Sequence, residues 1–184
     1  MRLRRRWLLA VAAAITISVV VMSEWPYRNR EAFVSPLDQA RLTIRRDGRG
    51  DGRYGAPRSG RRRHQGIDLA ARMGDPVRAV RSGWVAVARY QRGYGNFVVI
   101  RHSPVLTTTY AHLKTLHVRE GRRVHQGDAI GTVGKTGNAG YAAVRPHLHF
   151  EVRRSRVPVD PVATALHPFF PAVPTDDAQL AAQP

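Results

Sequence analysis

Two histidines separated by a single residue are the first candidates for chemistry in this 184-residue chain. His147 and His149 lie in residues 145–152, where apolar residues and a preceding proline favour a β-strand. Side chains alternate between the faces of a strand, so both imidazoles project from one face while Leu148 and Phe150 project from the other. Such a pair can hold a metal ion or transfer protons. Two histidines on a solvent-exposed face with no function would give the same pattern. A functional site therefore requires polar partners elsewhere in the chain.

Histidine and aspartate recur in two earlier segments. His64 and Asp68 are four residues apart, but Gly66 and the β-rich surroundings argue against a helix, so we expect an extended turn whose ends converge. His112 stands at the end of a threonine-rich strand. Read singly, the first pair is typical of a surface ion pair, and His112 of a hydrogen-bonded or exposed histidine. The chain has no cysteine, so a metal could be held only by His, Asp or Glu.

Taken together, the three segments resemble the zinc metallopeptidases of the lysostaphin and LytM type, the M23 peptidase family, which cut peptide bonds in bacterial peptidoglycan. Residues 64–68 match the family's H-x-x-x-D, residues 110–113 its Y-x-H-L, and residues 147–151 its H-L-H-F-E. Supporting matches lie between these motifs, at residues 74–79, 83–85, 93–100 and 121–137. Several motifs in the right order make chance agreement improbable.

The resemblance implies a role for each of these polar side chains. His64, Asp68 and His149 would bind one Zn²⁺ per chain, and His112 and His147 would be the catalytic histidines. Three protein ligands leave a position for water, as in catalytic rather than structural zinc sites. The implied reaction is hydrolysis of peptide bonds in peptidoglycan stem peptides and crossbridges, with either histidine as the general base.

The chain departs from the family pattern in two places. The F-G-x-R segment of relatives appears here at residues 54–58, and residues 138–146 are longer than the family's T-G-x-S-x-G-P link, so we expect altered groove walls. The Gly- and Arg-rich residues 47–63 fit either a nucleic-acid-binding arm or a loop that borders the site. Glu151 could orient a histidine or form an exposed salt bridge with a neighbouring arginine.

Short β-rich runs between glycine turns predict the fold that positions these residues. We expect strands at residues 77–80, 84–88, 97–100, 107–110, 129–133 and 147–152. The predicted fold class is all-β, an antiparallel sandwich or barrel-like peptidase domain over residues 47–167. Within it, Asp160 is expected to cap a brief helix that runs toward Leu166, and residues 168–184 are expected to form a flexible tail.

The N-terminal residues predict export. Four arginines precede an apolar run from Trp7 to Met22. Residues 1–23 are interpreted as a signal or transmembrane helix that anchors the chain in the inner membrane facing the periplasm and wall, or releases it if the segment is cleaved. Residues 24–46 are interpreted as a spacer in which Ser35 and Pro36 start a helix.

The formal net charge of +17 indicates attraction to polyanions. No recognition helix, zinc-finger spacing or aromatic RNA-binding motif occurs, and export would separate the chain from cytosolic nucleic acid, so no nucleic-acid partner is expected. The remaining alternative is a non-catalytic wall-binding or regulatory member of the same fold that activates another hydrolase. Catalysis is preferred, because all five positions implied by the resemblance are filled.

Overall fold

The computed structural model describes residues 32–48 and 50–170, apart from the side chain of His167. The predicted membrane segment at residues 1–23 and the end of the predicted tail lie outside the described residues. Within the described ranges, no helix combines the length and the apolar character needed to cross a membrane.

Antiparallel β-structure dominates this part of the chain. Strands β1 and β2 pair with each other, and the remaining strands form one nine-stranded sheet in which every pairing is antiparallel. The predicted all-β, antiparallel fold class is confirmed. The strands are β1 (Arg46–Asp47), β2 (Gly50–Asp51), β3 (Ile67–Ala70), β4 (Pro76–Arg78), β5 (Gly83–Gln91), β6 (Gly95–Arg101), β7 (Leu106–Leu116), β8 (Arg123–Val124), β9 (Ala129–Val133), β10 (His147–Arg154) and β11 (Val157–Val159). Short helical turns occupy Gly137–Gly140, Val162–Leu166 and His167–Phe169.

Strand β10 links the three candidate segments. Strands β3 and β11 pair with successive parts of β10, and β7 also pairs along it. In this register His149 is the partner of Asp68 on β3 and of Ala111 on β7. The end of the H-x-x-x-D turn and the residue next to His112 are therefore placed beside the His-x-His pair by backbone pairing alone.

The two faces of β10 differ in chemistry but not in burial. Phe150 belongs to the hydrophobic core and packs on Tyr110, with 5.3 Å between the ring centroids. On the other face His147, His149 and Glu151 are buried as well. The salt bridge of Glu151 is therefore not the exposed one expected as an alternative, because β10 has neighbours along its length and the Glu151 carboxylate is buried.

Close backbone approach explains the glycine between His64 and Asp68. A Cβ atom on Gly66 would lie 2.3 Å from the Phe150 carbonyl oxygen, far inside van der Waals contact. Only glycine allows the turn to run this close to β10. The turn that presents both polar side chains is therefore fixed by its contact with β10.

Residues before the sheet pack on it instead of forming a spacer up to residue 46. Leu37 and Leu42 are buried in the core, and Leu37 bridges to Val77 of β4. The predicted helix start at Ser35 is wrong. The Ser35 hydroxyl donates to the Leu37 carbonyl at 2.6 Å and accepts the Leu37 amide at 3.3 Å, so the side chain closes a local turn that competes with a helix.

The predicted helical cap at Asp160 is confirmed. Its carboxylate accepts the amide of Val162 at 2.9 Å, at the start of the helical turn Val162–Leu166. Leu166 is fully buried, and Phe169 packs partly buried against the core. The first residues of the predicted tail therefore belong to the folded domain.

Candidate metal centre and groove

Three potential ligand atoms converge between β3 and β10. His64 Nε2, Asp68 Oδ1 and His149 Nδ1 form a triangle with edges of 3.0 Å between the histidines, 2.9 Å from His149 to Asp68 and 3.1 Å from His64 to Asp68. All three side chains are buried. Ligands of a tetrahedral zinc ion with bonds of about 2.1 Å lie about 3.4 Å apart, so the triangle is a few tenths of an ångström smaller than such an ion requires. The structure thus brings together the three residues implied as ligands.

Each histidine of the triangle has its other ring nitrogen held by an acceptor. His64 Nδ1 lies 2.8 Å from the Arg53 carbonyl oxygen, and His149 Nε2 lies 3.0 Å from Glu151 Oε1. These acceptors call for N–H donors, so when each ring is neutral its lone pair lies on the nitrogen of the triangle. Both histidines are therefore held in the tautomer that can bind a metal.

Electron-pair donors this close together require a cation between them. Burial alone would lower the pKa of His149, but its hydrogen bonds to Asp68 and Glu151 raise that pKa to about 9. Burial alone would raise the pKa of Asp68, but its contacts with His149 and His64 hold it well below its usual range. A proton fills the cationic role in the metal-free protein. Two imidazoles and one carboxylate also fit a divalent transition metal.

Asp68 presents only one carboxylate oxygen to the triangle. Its Oδ2 accepts hydrogen bonds from Arg45 at 3.0 Å and from Arg58 at 3.3 Å. Arg45 is buried and also pairs with Asp47, which in turn accepts the Arg145 amide at 3.2 Å. The two guanidinium groups hold the carboxylate so that Oδ1 faces the histidines.

His112 and His147 lie beside the triangle. Their ring centroids are 5.0 Å apart, and His147 Nε2 is 3.8 Å from Asp68 Oδ1. His112 Nδ1 is held by the Thr136 carbonyl at 2.9 Å and His147 Nδ1 by the Arg145 carbonyl at 2.8 Å, so each Nε2 is left as an acceptor. Burial lowers the pKa of His112 to about 3 and also lowers the pKa of His147. Both imidazoles are therefore neutral near pH 7 in the metal-free protein, with a lone pair on Nε2.

A bulge in β7 turns His112 toward the site. Tyr110 and Leu113 are both in the core although they are three residues apart, whereas regular alternation would put them on opposite faces. From Tyr110 to Leu113 the partner strand β6 advances only from Val98 to Asn96. The extra residue is accommodated at His112, whose φ of +64° is in the left-handed region. His112 therefore leaves the core face and reaches the face that carries the other histidines.

Glu151 anchors His149 from within the protein. Its carboxylate also accepts hydrogen bonds from the Tyr94 hydroxyl at 2.6 Å and from Arg153 Nε at 2.8 Å. Burial alone would raise the pKa of Glu151, but the bond to His149 and these further contacts lower it to about 2. Burial and the neighbouring Glu151 raise the pKa of Tyr94 to about 12, so the phenol stays a donor. Glu151 thus orients His149 and forms an ion pair with Arg153 at the same time.

A groove of about 1000 Å³ opens over these side chains. Part of its lining comes from residues 54–65, and another part from residues 91–94 and 138–144. Both segments in which the sequence departs from the family pattern therefore contribute to the groove. Of the two readings of the Gly- and Arg-rich residues 47–63, the loop that borders the site agrees with this position.

Comparison with known sequences identifies the family. The sequence model of peptidase family M23 matches residues 62–161, which include all five residues singled out above. The chain belongs to peptidase family M23. The resemblance on which the site assignment depends is therefore confirmed, while the role of each M23 side chain in this chain stays a prediction.

Two curated M23 relatives and one solved structure illustrate the similarity. The DD-carboxypeptidase/endopeptidase Mpg of Neisseria meningitidis is 44% identical over 122 residues, 66% of this chain and 27% of Mpg. The peptidoglycan DD-endopeptidase ShyC of Vibrio cholerae is 43% identical over 88 residues, 48% of this chain and 19% of ShyC. The chain thus matches less than a third of either relative. A zinc containing peptidase from Vibrio cholerae superposes with a TM-score of 0.59 and 36% identity, over 70% of this chain and 39% of that one.

Sequence reasoning missed two residues that shape the M23 site. Tyr94 lies within the match at residues 93–100, and nothing in that match indicates its contact with Glu151, 57 residues away. Arg45 fell in the predicted spacer, and its bond to Asp68 spans 23 residues. Contacts at this sequence separation leave no local periodicity, so a single sequence carries no signal for them.

Proposed function

We propose that the chain is an exported zinc metalloendopeptidase that hydrolyses peptide crosslinks of bacterial peptidoglycan. The observation that carries the proposal is the convergence of His64, Asp68 and His149 on one triangle, with the neutral imidazoles of His112 and His147 beside it. Metal ligands and proton acceptors in one groove are what metal-assisted hydrolysis of an amide requires.

Zinc fits the donor set better than magnesium or calcium does. Those two ions take mainly oxygen ligands, whereas two of the three donors here are imidazole nitrogens. The description of the Vibrio cholerae neighbour as a zinc containing peptidase supports the same choice. Bound at His64, Asp68 and His149, a zinc ion would supply Lewis acidity toward the scissile carbonyl and an attacking water molecule.

Proton transfer is assigned to His112 and His147. Each has Nδ1 fixed on a backbone carbonyl, so that Nε2 is presented in a set orientation. One imidazole accepts the proton of the attacking water, and a protonated imidazole can return it to the leaving amine or donate to the oxyanion. The fixed Nδ1 contacts support either role for each residue.

The proposed substrate and location follow from the family and from the N-terminal sequence. ShyC is a peptidoglycan DD-endopeptidase and Mpg a DD-carboxypeptidase/endopeptidase, and both exceed 40% identity with this chain over the matched residues. Stem peptides and crossbridges of peptidoglycan are accordingly the proposed partners. The arginines and apolar run of residues 1–23 support an inner-membrane anchor facing the periplasm, or secretion after cleavage.

A non-catalytic member of the fold that activates another hydrolase is the competing function. Such a protein does not need metal ligands or proton acceptors, and its site can lose them. Here all five side chains are present, buried and hydrogen-bonded in a suitable orientation. This arrangement favours catalysis over a binding role.

Digestion of purified peptidoglycan sacculi tests the proposal. The full-length chain, loaded with zinc, is expected to release soluble fragments that mass spectrometry shows to be cut at peptide bonds, with the glycan strands intact. The His147→Ala variant is the control for contaminating hydrolases and is expected to release none. If the zinc-loaded chain cuts no peptide bond, the enzyme proposal is wrong and the non-catalytic activator becomes the preferred function.

A further inference from the structure

Residues 55–64 form a short hairpin, here called the arginine hairpin. Hydrogen bonds of 2.9–3.0 Å join its two sides, among them the bond from the Arg58 amide to the Arg62 carbonyl. The chain reverses at Gly60 and Arg61, whose φ values of +69° and +61° are those of the tight turns that match the twist of a hairpin. The hairpin therefore holds its side chains on a defined backbone.

Two arginines of the hairpin line the groove with braced guanidinium groups. Arg62 donates from Nε to the Ser59 carbonyl at 3.1 Å and from Nη2 to the Ser59 hydroxyl at 3.2 Å. Arg63 donates from Nη1 to the Gly55 carbonyl at 3.2 Å. Every one of these acceptors is uncharged. The contacts therefore restrict the two side chains without neutralising their charge.

Charge is distributed unevenly over the groove. In the described part of the chain its carboxylates are Asp68 and Glu151, and each of them is already paired with at least one arginine. No ion pair found among the described residues includes Arg62 or Arg63. The lining contributed by residues 91–94 and 138–144 is uncharged. The hairpin side of the groove thus has a positive charge that no carboxylate among residues 32–48 and 50–170 compensates.

We propose that Arg62 and Arg63 bind a free carboxylate of the peptide substrate, so that the groove selects acidic substrates over amidated ones. This inference rests on the proposed function and narrows its substrate class. Guanidinium groups match a carboxylate in charge and in hydrogen-bonding geometry. Because the charge lies on one part of the lining, a carboxylate bound there also sets the direction in which the peptide lies across His64.

A peptide carboxylate fits this position better than a polyanion does. Nucleic acids are bound through many phosphate contacts spread along a surface. Arg62 and Arg63 instead line the same concave groove as His64, with which the hairpin ends. Two cations in a groove of this kind suit one or two carboxylates next to the bond to be cut.

A matched pair of substrates tests the inference. The first is a crosslinked peptide dimer isolated from peptidoglycan, and the second is the same dimer with its free carboxylates converted to primary amides. For the zinc-loaded full-length chain we expect kcat/KM to be at least about tenfold higher for the acid, the effect of hydrogen bonds to a charged group. The double variant Arg62→Gln/Arg63→Gln should bring this ratio close to one, mainly through KM for the acid.

The neighbouring Arg61 provides the matched control. It is exposed at the tip of the same hairpin and does not line the groove, so Arg61→Gln removes the same charge and should keep the ratio. A double variant that slows both substrates equally would show a structural role and overturn the inference. So would a double variant that loses binding to a duplex DNA probe while it keeps the substrate ratio.

Failure of the proposed function gives a different result. If the wild-type chain cuts both dimers at equal rates, the charge selection is refuted and the hydrolase assignment stands. If it cuts neither, the hydrolase assignment fails, and calorimetric binding of the two dimers decides the inference separately. Equal affinity of the wild-type chain for acid and amide would then overturn it.

Discussion

Among the side chains that the structure describes, buried histidines occur in two regions, and only one of the two borders the groove. His102, which follows β6, is 1% exposed, and both ring nitrogens have partners inside the protein: the Ser82 carbonyl at 3.0 Å from Nδ1 and the Thr108 hydroxyl at 2.7 Å from Nε2. His147, at 3% exposed, is nearly as buried, but only its Nδ1 is held by a carbonyl. The two histidines are therefore almost equally buried, but they differ in hydrogen bonding. Both ring nitrogens of His102 are bonded, whereas Nε2 of His147 is directed at the site.

The two regions also differ in charge. The Thr108 hydroxyl next to His102 lies 3.1 Å from the Tyr110 hydroxyl, which accepts the Val80 amide, so this network consists of neutral groups. The candidate metal centre instead combines buried carboxylates with guanidinium and imidazole groups. A neutral network can satisfy the hydrogen bonds of buried polar groups by itself. A charged network with unused lone pairs is stabilised by a bound cation.

Substitution of the proposed proton acceptors should produce the largest contrast between the two regions. His112→Ala and His147→Ala are each expected to lower kcat by about 10³-fold, the usual contribution of general acid–base catalysis. The measurement is peptide release from zinc-loaded protein. His125→Ala, at an exposed position, is the control and should keep full activity. Activity within a fewfold of wild type in both site variants would remove these histidines from the mechanism.

Removal of a guanidinium group from the charged network should have the next largest effect. Arg45→Met is expected to lower the free energy of unfolding of the metal-free protein by about 3 kcal/mol, because it removes a guanidinium group that pairs with two buried carboxylates, Asp47 and Asp68. Denaturant titration measures this. Arg46→Met is the matched control, since Arg46 and Asp51 form an exposed pair at 3.7 Å and should contribute less than about 1 kcal/mol. Equal losses in the two variants would mean that the buried network does not stabilise the site.

The neutral network makes a prediction about pH. Burial lowers the pKa of His102 from 6.5 to about 4, so below pH 6.5 the unfolded chain binds a proton that the folded protein does not. The free energy of unfolding should therefore fall as the pH decreases from 6.5 to 4, by up to about 3 kcal/mol from this residue. His102→Gln has no titrating group at this position, so wild type should lose more stability over this range than the variant. Parallel pH profiles would contradict the neutral assignment.

The sheet follows from the sequence more directly than the site does. The predicted strand at residues 147–152 appears within β10, and the alternation of apolar and polar side chains correctly places Phe150 in the core and the histidines on the other face. Spacing along a strand is a local property, which a single sequence records. The same alternation fails at His112, because the bulge that redirects its side chain depends on pairing with β6.

Three features of the site lay beyond any local pattern. Arg45 reaches Asp68 only after residues before β1 fold back onto the sheet. The arginine hairpin has the composition of a flexible arm, and its cross-strand hydrogen bonds give it a defined shape. The sequence predicts either a histidine or an arginine as the partner of Glu151, whereas its buried carboxylate contacts both His149 and Arg153. Tertiary contacts decide each case.

Zinc content of two variants on the same strand tests the central claim most directly. Metal analysis of the purified full-length protein should find about one zinc per chain in the wild type and in His147→Ala, and almost none in His149→Ala, because only His149 belongs to the three-ligand set. The His102→Gln variant should retain the metal, because the imidazole that it lacks does not face the site in the wild type. Equal zinc loss in His147→Ala and His149→Ala would contradict the division of this strand into a ligand and a proton acceptor.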